Sequence, residues 1–331
     1  MRAFILSKYS TALREADVPE PVVGDGDVLV RIQAAGLNQL DEKIRLGEFK
    51  QILPYKLPVI LGHDLAGTVI RVGAGVRDFR AGDEVYGRPG TDHIGTFAER
   101  IAVPAADLAP KPASITMDEA GSLPLVALTT WQALVEIGRV QPGQKVLIHA
   151  GAGGVGTIAI QLAKHLGAEV ATTASAANAD FVRELGADHV FDYRADDFER
   201  TLSGYDLVLD SIGGENLEKS LRILRRGGTA VGISGPPTPE FARGAGLNPV
   251  LRAAIAALSS RMRKQATRLG VEYRFLFMRA SGAQLREITA LIDSGAIRPV
   301  VARVFPFDDT VSGLESLAAG GTRGKSVISN P

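Results

Sequence analysis

The run Val146-Leu-Ile-His-Ala-Gly-Ala-Gly-Gly-Val-Gly156 carries the strongest chemical signal in the chain. Gly151, Gly153 and Gly156 have the G-x-G-x-x-G spacing, and the run follows an apolar strand and opens a helix, the context that gives the spacing meaning. A glycine turn lets the backbone close on a diphosphate, whose charge the exposed N–H groups and the positive helix end then stabilise. The competing reading is a tight strand-to-helix turn without a ligand, but a bare turn needs fewer glycines.

The residues after the next strand select the dinucleotide. A site for NAD carries an acidic residue ~20 positions past the glycines, on the ribose hydroxyls. Here the strand reads Val170-Ala-Thr-Thr-Ala-Ser175, and no acid occurs from Val170 to Ala179. Ser175 and Asn178 are small hydrogen-bonding groups that accept a 2′-phosphate without repelling it. Tyr193 ends the third strand close by, and Arg194 follows with positive charge. The alternative for Ser175 and Asn178 is capping of the following helix. The missing acid favours NADPH.

These residues need a scaffold. Residues 1 to about 118 read as β-rich, with runs Arg2–Ser7, Val28–Ala34, Gly67–Val72 and Glu84–Arg88 set apart by Gly, Pro and Asp turns. From about Met117 strands alternate with helices: strand Val146–His149, helix Val155–Leu166 capped by Gly167, strand Glu169–Thr173, helix Phe181–Leu185, strand His189–Tyr193, strand Leu207–Ile212, helix Leu217–Leu224 and strand Thr229–Ser234. This order predicts an α/β fold with a doubly wound parallel sheet and right-handed crossovers. Gly235–Arg268 interrupts it with Pro236, Pro237 and Pro239, then a basic helical stretch holding Arg252, Arg261, Arg263, Lys264 and Arg268. That stretch reads as a solvated helix, with a lid or dimer contact as the alternative. Tyr273–Met278 resumes as a strand and Gln284–Ile292 as a helix. The tail from Ile297 alternates like β structure and is expected to return to the first domain. The expected division is therefore a β-rich domain over 1–118 joined by 297–331, and a nucleotide-binding domain over 119–296 with a helical insertion at 236–270.

Composition narrows the chemistry. The chain has 331 residues, enough for about two domains. Lys+Arg and Asp+Glu are both 37, so no overall basic field exists to hold nucleic acid or an anionic membrane. Cysteine is absent, which excludes disulfides, thiolate nucleophiles and Cys-ligated zinc. The five histidines, at 63, 93, 149, 165 and 189, form no closely spaced ligand pair. The N-terminal apolar run is too short for a signal peptide, and the longest uncharged stretch, near Ala120–Val135, falls short of a membrane span. A cytoplasmic protein without stable membrane insertion is expected.

Several segments in sequence order resemble the zinc-independent quinone or enone oxidoreductases of the medium-chain dehydrogenase/reductase superfamily. They are Gly36-Leu-Asn-Gln-Leu-Asp41, Leu61-Gly-His-Asp-Leu-Ala-Gly67, Ala81-Gly-Asp-Glu-Val85, Gly95-Thr-Phe-Ala-Glu99, Ala127-Leu-Thr-Thr-Trp-Gln-Ala133 and the glycine loop. The resemblance implies a GroES-like substrate domain, a Rossmann domain and a homodimer joined edge to edge through the Rossmann sheets. Zinc-containing relatives use Cys, His and Cys; Asn38 sits at the first Cys and His63 at the histidine. His63 with Asp64 is poor zinc chemistry, and His63 is expected as a satisfied polar residue. By the same resemblance Asn38 contacts the nicotinamide ribose or the substrate, Lys43 reaches the cofactor, and Thr129 faces the nicotinamide. Gly154 and Val155, beside Gly153, meet the pyrophosphate, and Ser175, Asn178 and Tyr193 hold the adenosine phosphate. Ile212 and Ile233 end the fourth and fifth strands, where open sheets bind ligands. Phe275, Leu276 and Phe277 line the carboxamide through their backbone, with core packing as the alternative for the side chains. Arg323 and Gly324 close the site. Two departures stand out: Ala176-Ala177 replaces a segment that carries a Lys in many alkenal reductases, and Arg100 replaces an aromatic residue.

Without a Lewis acid, an enone or quinone is an easier hydride acceptor than a simple ketone, because charge delocalises onto oxygen. Asn38, Lys43 and Tyr55 are the candidates to steady that oxygen, Tyr55 doubling as a wall residue. The expected function is NADPH-dependent reduction of α,β-unsaturated carbonyls or quinones. The alternatives are a zinc-free alcohol dehydrogenase on simple carbonyls and an NADPH-binding regulatory or adaptor protein with little turnover.

Overall fold

The computed structural model describes residues 1–330. The chain forms two compact units, one of Met1–Leu128 with Arg279–Pro331, the other of Thr129–Met278.

The first unit begins with β1 (Arg2–Leu6), β2 (Arg14–Asp17), β3 (Asp27–Gly36), α1 (Gln39–Arg45), β4 (Val59–Ile60), β5 (Leu65–Val72), β6 (Glu84–Gly87), β7 (Arg100–Pro104), β8 (Leu108–Pro110) and α2 (Met117–Gly121). The alternation in β3 puts Val28, Val30 and Ile32 into a core with Phe4, Leu61, Leu65, Phe97, Val103 and Leu108. α3 (Pro124–Trp131) leads into the second unit.

The second unit alternates β9 (Lys145–Ile148), α4 (Gly154–His165), β10 (Glu169–Ala174), α5 (Ala179–Glu184), β11 (His189–Asp192), α6 (Phe198–Thr201), β12 (Tyr205–Asp210), α7 (Gly214–Ile223) and β13 (Leu224–Gly232). Three helices follow, α8 (Pro239–Gly244), α9 (Pro249–Leu258) and α10 (Ser260–Leu269), then β14 (Glu272–Phe275). The six strands pair in parallel in the order β11-β10-β9-β12-β13-β14, so the order reverses between β9 and β12. Ligands bind at such a switch point. β9 and β10 are buried almost throughout, as strands of a parallel sheet with helices on both faces are. Gly167 ends α4 at φ +81°, its N–H on the Lys164 carbonyl and that of Ala168 on the Ala163 carbonyl. This is the glycine-dependent closure of helix carbonyls expected there.

The chain then returns to the first unit through α11 (Gly282–Asp293), β15 (Val301–Pro306), α12 (Thr310–Glu315) and β16 (Lys325–Ser329). β16 pairs antiparallel with β3, in the sheet ordered β15-β16-β3-β5-β6-β8 with β7 also on β3. β15 and β16 therefore lie in a sheet of the first unit.

The structure corrects the reading in several places. Helix 282–293 belongs to the first unit, not to the nucleotide-binding domain. A Cβ at Gly282 would lie 2.1 Å from the Leu108 carbonyl, the Tyr86 hydroxyl donates to the Leu285 carbonyl at 2.8 Å, and Asp293 accepts from Ser114. The helix spacing was legible; these contacts, far apart in sequence, were not. The boundaries move accordingly, from 118 to 128 and from 296 to 278. Strand ends shift too. β12 stops at Asp210, because its carboxylate turns back to accept from the Ile212 and Gly213 amides, and Leu224 starts β13 rather than ending α7.

Candidate active site

In the second unit, β9 runs into Ala150, at φ +54°, and then Gly151-Ala-Gly153 before α4 starts at Gly154. A Cβ on Gly151 would lie 2.1 Å from Thr172 Oγ1, and one on Gly156 would lie 2.3 Å from the Ala150 carbonyl. These two glycines let the turn pack on β10 and the helix pack on the turn. Gly153 differs, since its Cβ would meet only the Ala150 carbonyl at 3.3 Å. As N-cap it supplies no side-chain hydrogen bond, and the first turn of α4 holds no acid. The amides of that turn and its positive end therefore stay available to an anion. This geometry fits the diphosphate of a dinucleotide.

β10 ends at Ala174, whose carbonyl accepts from the Tyr193 amide at 3.3 Å. That bond brings Tyr193, 58% exposed, and Arg194 beside Ser175. The Arg194 guanidinium lies 5.4 Å from the centre of the Tyr193 ring. Neither Ser175 nor Asn178 caps the following helix with its side chain, so the capping alternative loses its support. The first carboxylate after β10 is Asp180, which pairs with Arg183.

Ile212 and Ile233 both lie past their strands, Ile212 45% exposed and Ile233 donating its amide to the Asp210 carbonyl. Leu276 donates its amide to the Gly232 carbonyl, just after β14. Phe275 and Phe277 pack on Phe241 at 5.1 and 5.6 Å between ring centres, so both rings have packing roles. Thr129 is buried in α3.

The first unit gathers a buried polar cluster. Asn38, before α1, donates from Nδ2 to Asp64 at 2.9 Å and to the Gly36 carbonyl at 3.2 Å. Its Oδ1 accepts from Lys325 Nζ at 2.5 Å, and that ammonium also donates to the Leu37 carbonyl and lies 3.6 Å from Asp64. Asp64 also accepts from the Leu125 amide. Asp41 accepts from the amides of Asn38 and Gly62 and meets His63 Nδ1 at 2.6 Å. Burial pushes the Asp64 carboxyl up and the Lys325 ammonium down, each partly offset by the other. His63 is satisfied on one side only, because its Nε2 is buried without a partner among the described residues.

Lys43 is half-buried on α1; its carbonyl accepts from the Glu48 amide, and its side chain makes no hydrogen bond or ion pair among the described residues. Gly324 is buried and Arg323 exposed. Arg100 points outward on β7 and pairs with Glu20. Sequence reading missed Lys325, Asp41 and Arg88. A lone lysine heading the apolar strand Lys325–Ser329 was the available signal for the first.

The Tyr55 hydroxyl is buried without a partner among the described residues, and burial raises its pKa to about 12. Burial acts the same way on Tyr205, also to about 12, and on Tyr86 and Tyr273. A raised folded-state value favours the neutral hydroxyl, so its contribution to stability is present below pH 10 and is lost as pH rises through about 12. Between those limits native protein is expected to show less tyrosinate absorbance than unfolded protein, and Tyr55→Phe to narrow the gap. An unchanged gap would place Tyr55 in solvent.

A two-unit chain with a glycine-lined Rossmann cradle and a GroES-like β unit defines an oxidoreductase class. Residues 24–113 match the model for the alcohol dehydrogenase GroES-like domain, and residues 185–328 that for zinc-binding dehydrogenases. The chain is 34% identical to the mitochondrial NAD(P)H oxidoreductase RTN4IP1 of Danio rerio, over 99% of this chain and 91% of that one. It is 32% identical to the chloroplastic NADPH-dependent alkenal/one oxidoreductase of Arabidopsis thaliana, over 99% and 79%. The quinone oxidoreductase structure from Coxiella burnetii superposes with a TM-score of 0.86 at 31% identity, covering 100% and 99%. The chain belongs to the medium-chain dehydrogenase/reductase superfamily, among its quinone and enone oxidoreductases, and is an oxidoreductase.

The zinc in one family description does not fit these residues. Cysteine is absent, no group of three or more His, Asp or Glu side chains that could hold a metal occurs among the described residues, and Asn38 Oδ1 is taken by the Lys325 ammonium. Among the described residues no helix is long and apolar enough to cross a membrane.

Proposed function

We propose that the chain is an NADPH-dependent, zinc-independent reductase of α,β-unsaturated carbonyls or quinones. The observation that carries the cofactor choice is the acid-free end of β10, with Ser175, Tyr193 and Arg194 around it. Names of relatives that reduce alkenals and quinones support the substrate class. Gly153, Gly154 and Val155 hold the diphosphate through backbone amides, and Ser175, Asn178 and Tyr193 hold the 2′-phosphate. Thr129, Ile212, Ile233, Phe275, Leu276 and Phe277 flank the nicotinamide, with Lys43, Arg323 and Gly324 completing its surroundings. When bound, NADPH supplies a hydride and leaves as NADP⁺.

The polar residues of the first unit do the remaining work. Asn38 is held on both sides of its amide by Asp64 and Lys325, so its orientation is fixed before substrate arrives. Tyr55 offers a neutral hydroxyl as donor to the substrate oxygen. A proton from water completes the reduction, so no dedicated acid is needed. The same reading assigns the chain to the cytoplasm and makes it a homodimer through β14, the outer strand of its sheet.

The test is oxidation of NADPH and NADH with a panel of enones, quinones and saturated ketones. NADPH is expected to be preferred, and enones to turn over faster than their saturated counterparts. Activity with NADH alone would overturn the phosphate assignment. Equal turnover of saturated ketones would make the chain an alcohol dehydrogenase.

A further inference from the structure

Arg88 follows β6, and its side chain is 1% exposed. A guanidinium taken out of water needs partners for its N–H groups. Only Nη1 has one, the Pro89 carbonyl at 2.8 Å. Nε and Nη2 are buried and have none among the described residues. The Nε–H and the adjoining Nη2–H point the same way from one edge of the planar group, so the two open donors make a single fork. Tyr55 Oη, also buried and open, interacts electrostatically with Arg88.

A carboxylate is the common occupant of such a fork. The charges around Arg88 point elsewhere. Asp64, Asp107 and Asp41 all act on it, yet none pairs with it. Asp64 is engaged by Asn38 and Leu125, Asp41 by His63 and Gly62, and Asp107 by the Gly90 amide at 2.9 Å. Three carboxylates against the cations of Arg88 and Lys325 leave no positive excess for an anionic ligand. The balance suits an oxygen that is neutral on arrival and gains charge only during reaction.

We propose that the Arg88 fork, with the Tyr55 hydroxyl, receives the carbonyl oxygen of the substrate and holds it as it becomes an enolate. The proposal rests on the enone-reductase reading above. The β-carbon accepts hydride from NADPH with its electron pair, the C=C pair moves to join the α-carbon to the carbonyl carbon, and the C=O π pair passes to the oxygen. Water then protonates the α-carbon, the oxygen returns its pair to re-form C=O, and NADP⁺ and hydroxide remain. Arg88 stabilises the charged oxygen and exchanges no atom.

The test compares wild type with Arg88→Lys and Arg88→Gln on a simple enone and on a 4-oxo-2-alkenoate with its methyl ester. Both variants are expected to lower kcat on the enone and the ester, Arg88→Gln by about 100-fold or more, with NADPH affinity unchanged. Arg88→Lys separates the fork from the charge and guards against misfolding of the neutral variant. Wild-type turnover with both variants equally active would sink the Arg88 assignment and leave the function standing. A loss confined to KM for the free carboxylate would reassign the fork to an anion. If wild type reduces no enone, the function fails, and the Arg88 side-chain N–H resonance, titrated with an unreactive saturated ketone in the NADP⁺-bound wild type, still reads the subsite. A saturating shift supports carbonyl binding there, and no shift refutes it.

Discussion

Replacing Gly156 with valine is expected to weaken NADPH binding by about 100-fold or more, the scale of a misplacement near 1 Å. The added Cβ would lie 2.3 Å from the Ala150 carbonyl and 2.6 Å from the Gly151 Cα, both backbone atoms that cannot rotate away. The start of α4 must move off the turn, and its amides lose their aim. Gly153→Ala is the control, because its Cβ meets only the Ala150 carbonyl at 3.3 Å and the fold can keep its geometry. Calorimetric titration of NADPH into both variants, with circular dichroism to confirm folding, reads the difference. Near-wild-type affinity in folded Gly156→Val would mean that the cradle does not hold the diphosphate.

Removing the buried ammonium should carry the largest cost to stability. Lys325→Met leaves Asn38 Oδ1, the Leu37 carbonyl and Asp64 without the charge they face. Stripping one partner from a buried ion pair costs about 3–5 kcal/mol, because the remaining charge stays buried uncompensated. Urea unfolding is expected to show a loss of that order, with kcat falling as Asn38 loses its orientation. Adding Asp64→Asn removes the stranded charge and should recover part of the stability. A loss under about 1 kcal/mol for Lys325→Met, well below the buried-pair range, would mean that the ammonium is hydrated rather than paired.

Both predictions join residues that were legible in the sequence to residues that were not. The glycine cradle is local. Strand, turn and helix lie within twenty residues of one another, their periodicities are intact, and the missing acid is read at a short fixed distance. The polar cluster is assembled from strands and turns far apart. Asn38 and Lys325 are separated by 287 positions and meet because β16 pairs with β3. Arg88 ends a strand before a proline, an ordinary place for an exposed arginine, and nothing nearby in sequence shows that its guanidinium is buried. Helix 282–293 shows the same limit, since its apolar spacing defines the helix and leaves open which unit it covers.

From the residues alone came the alternating αβ order, the diphosphate turn, the preference against an acidic ribose clamp and the loss of cysteine ligands. Each depends on periodicity, spacing or composition within a short stretch. The tertiary structure alone decided that an ammonium stands against Asn38, that His63 and Arg88 keep unpartnered nitrogens, and that the helix after β14 joins the first unit. Those depend on burial and on long-range strand pairing, which determine whether a polar group meets water, a partner or neither.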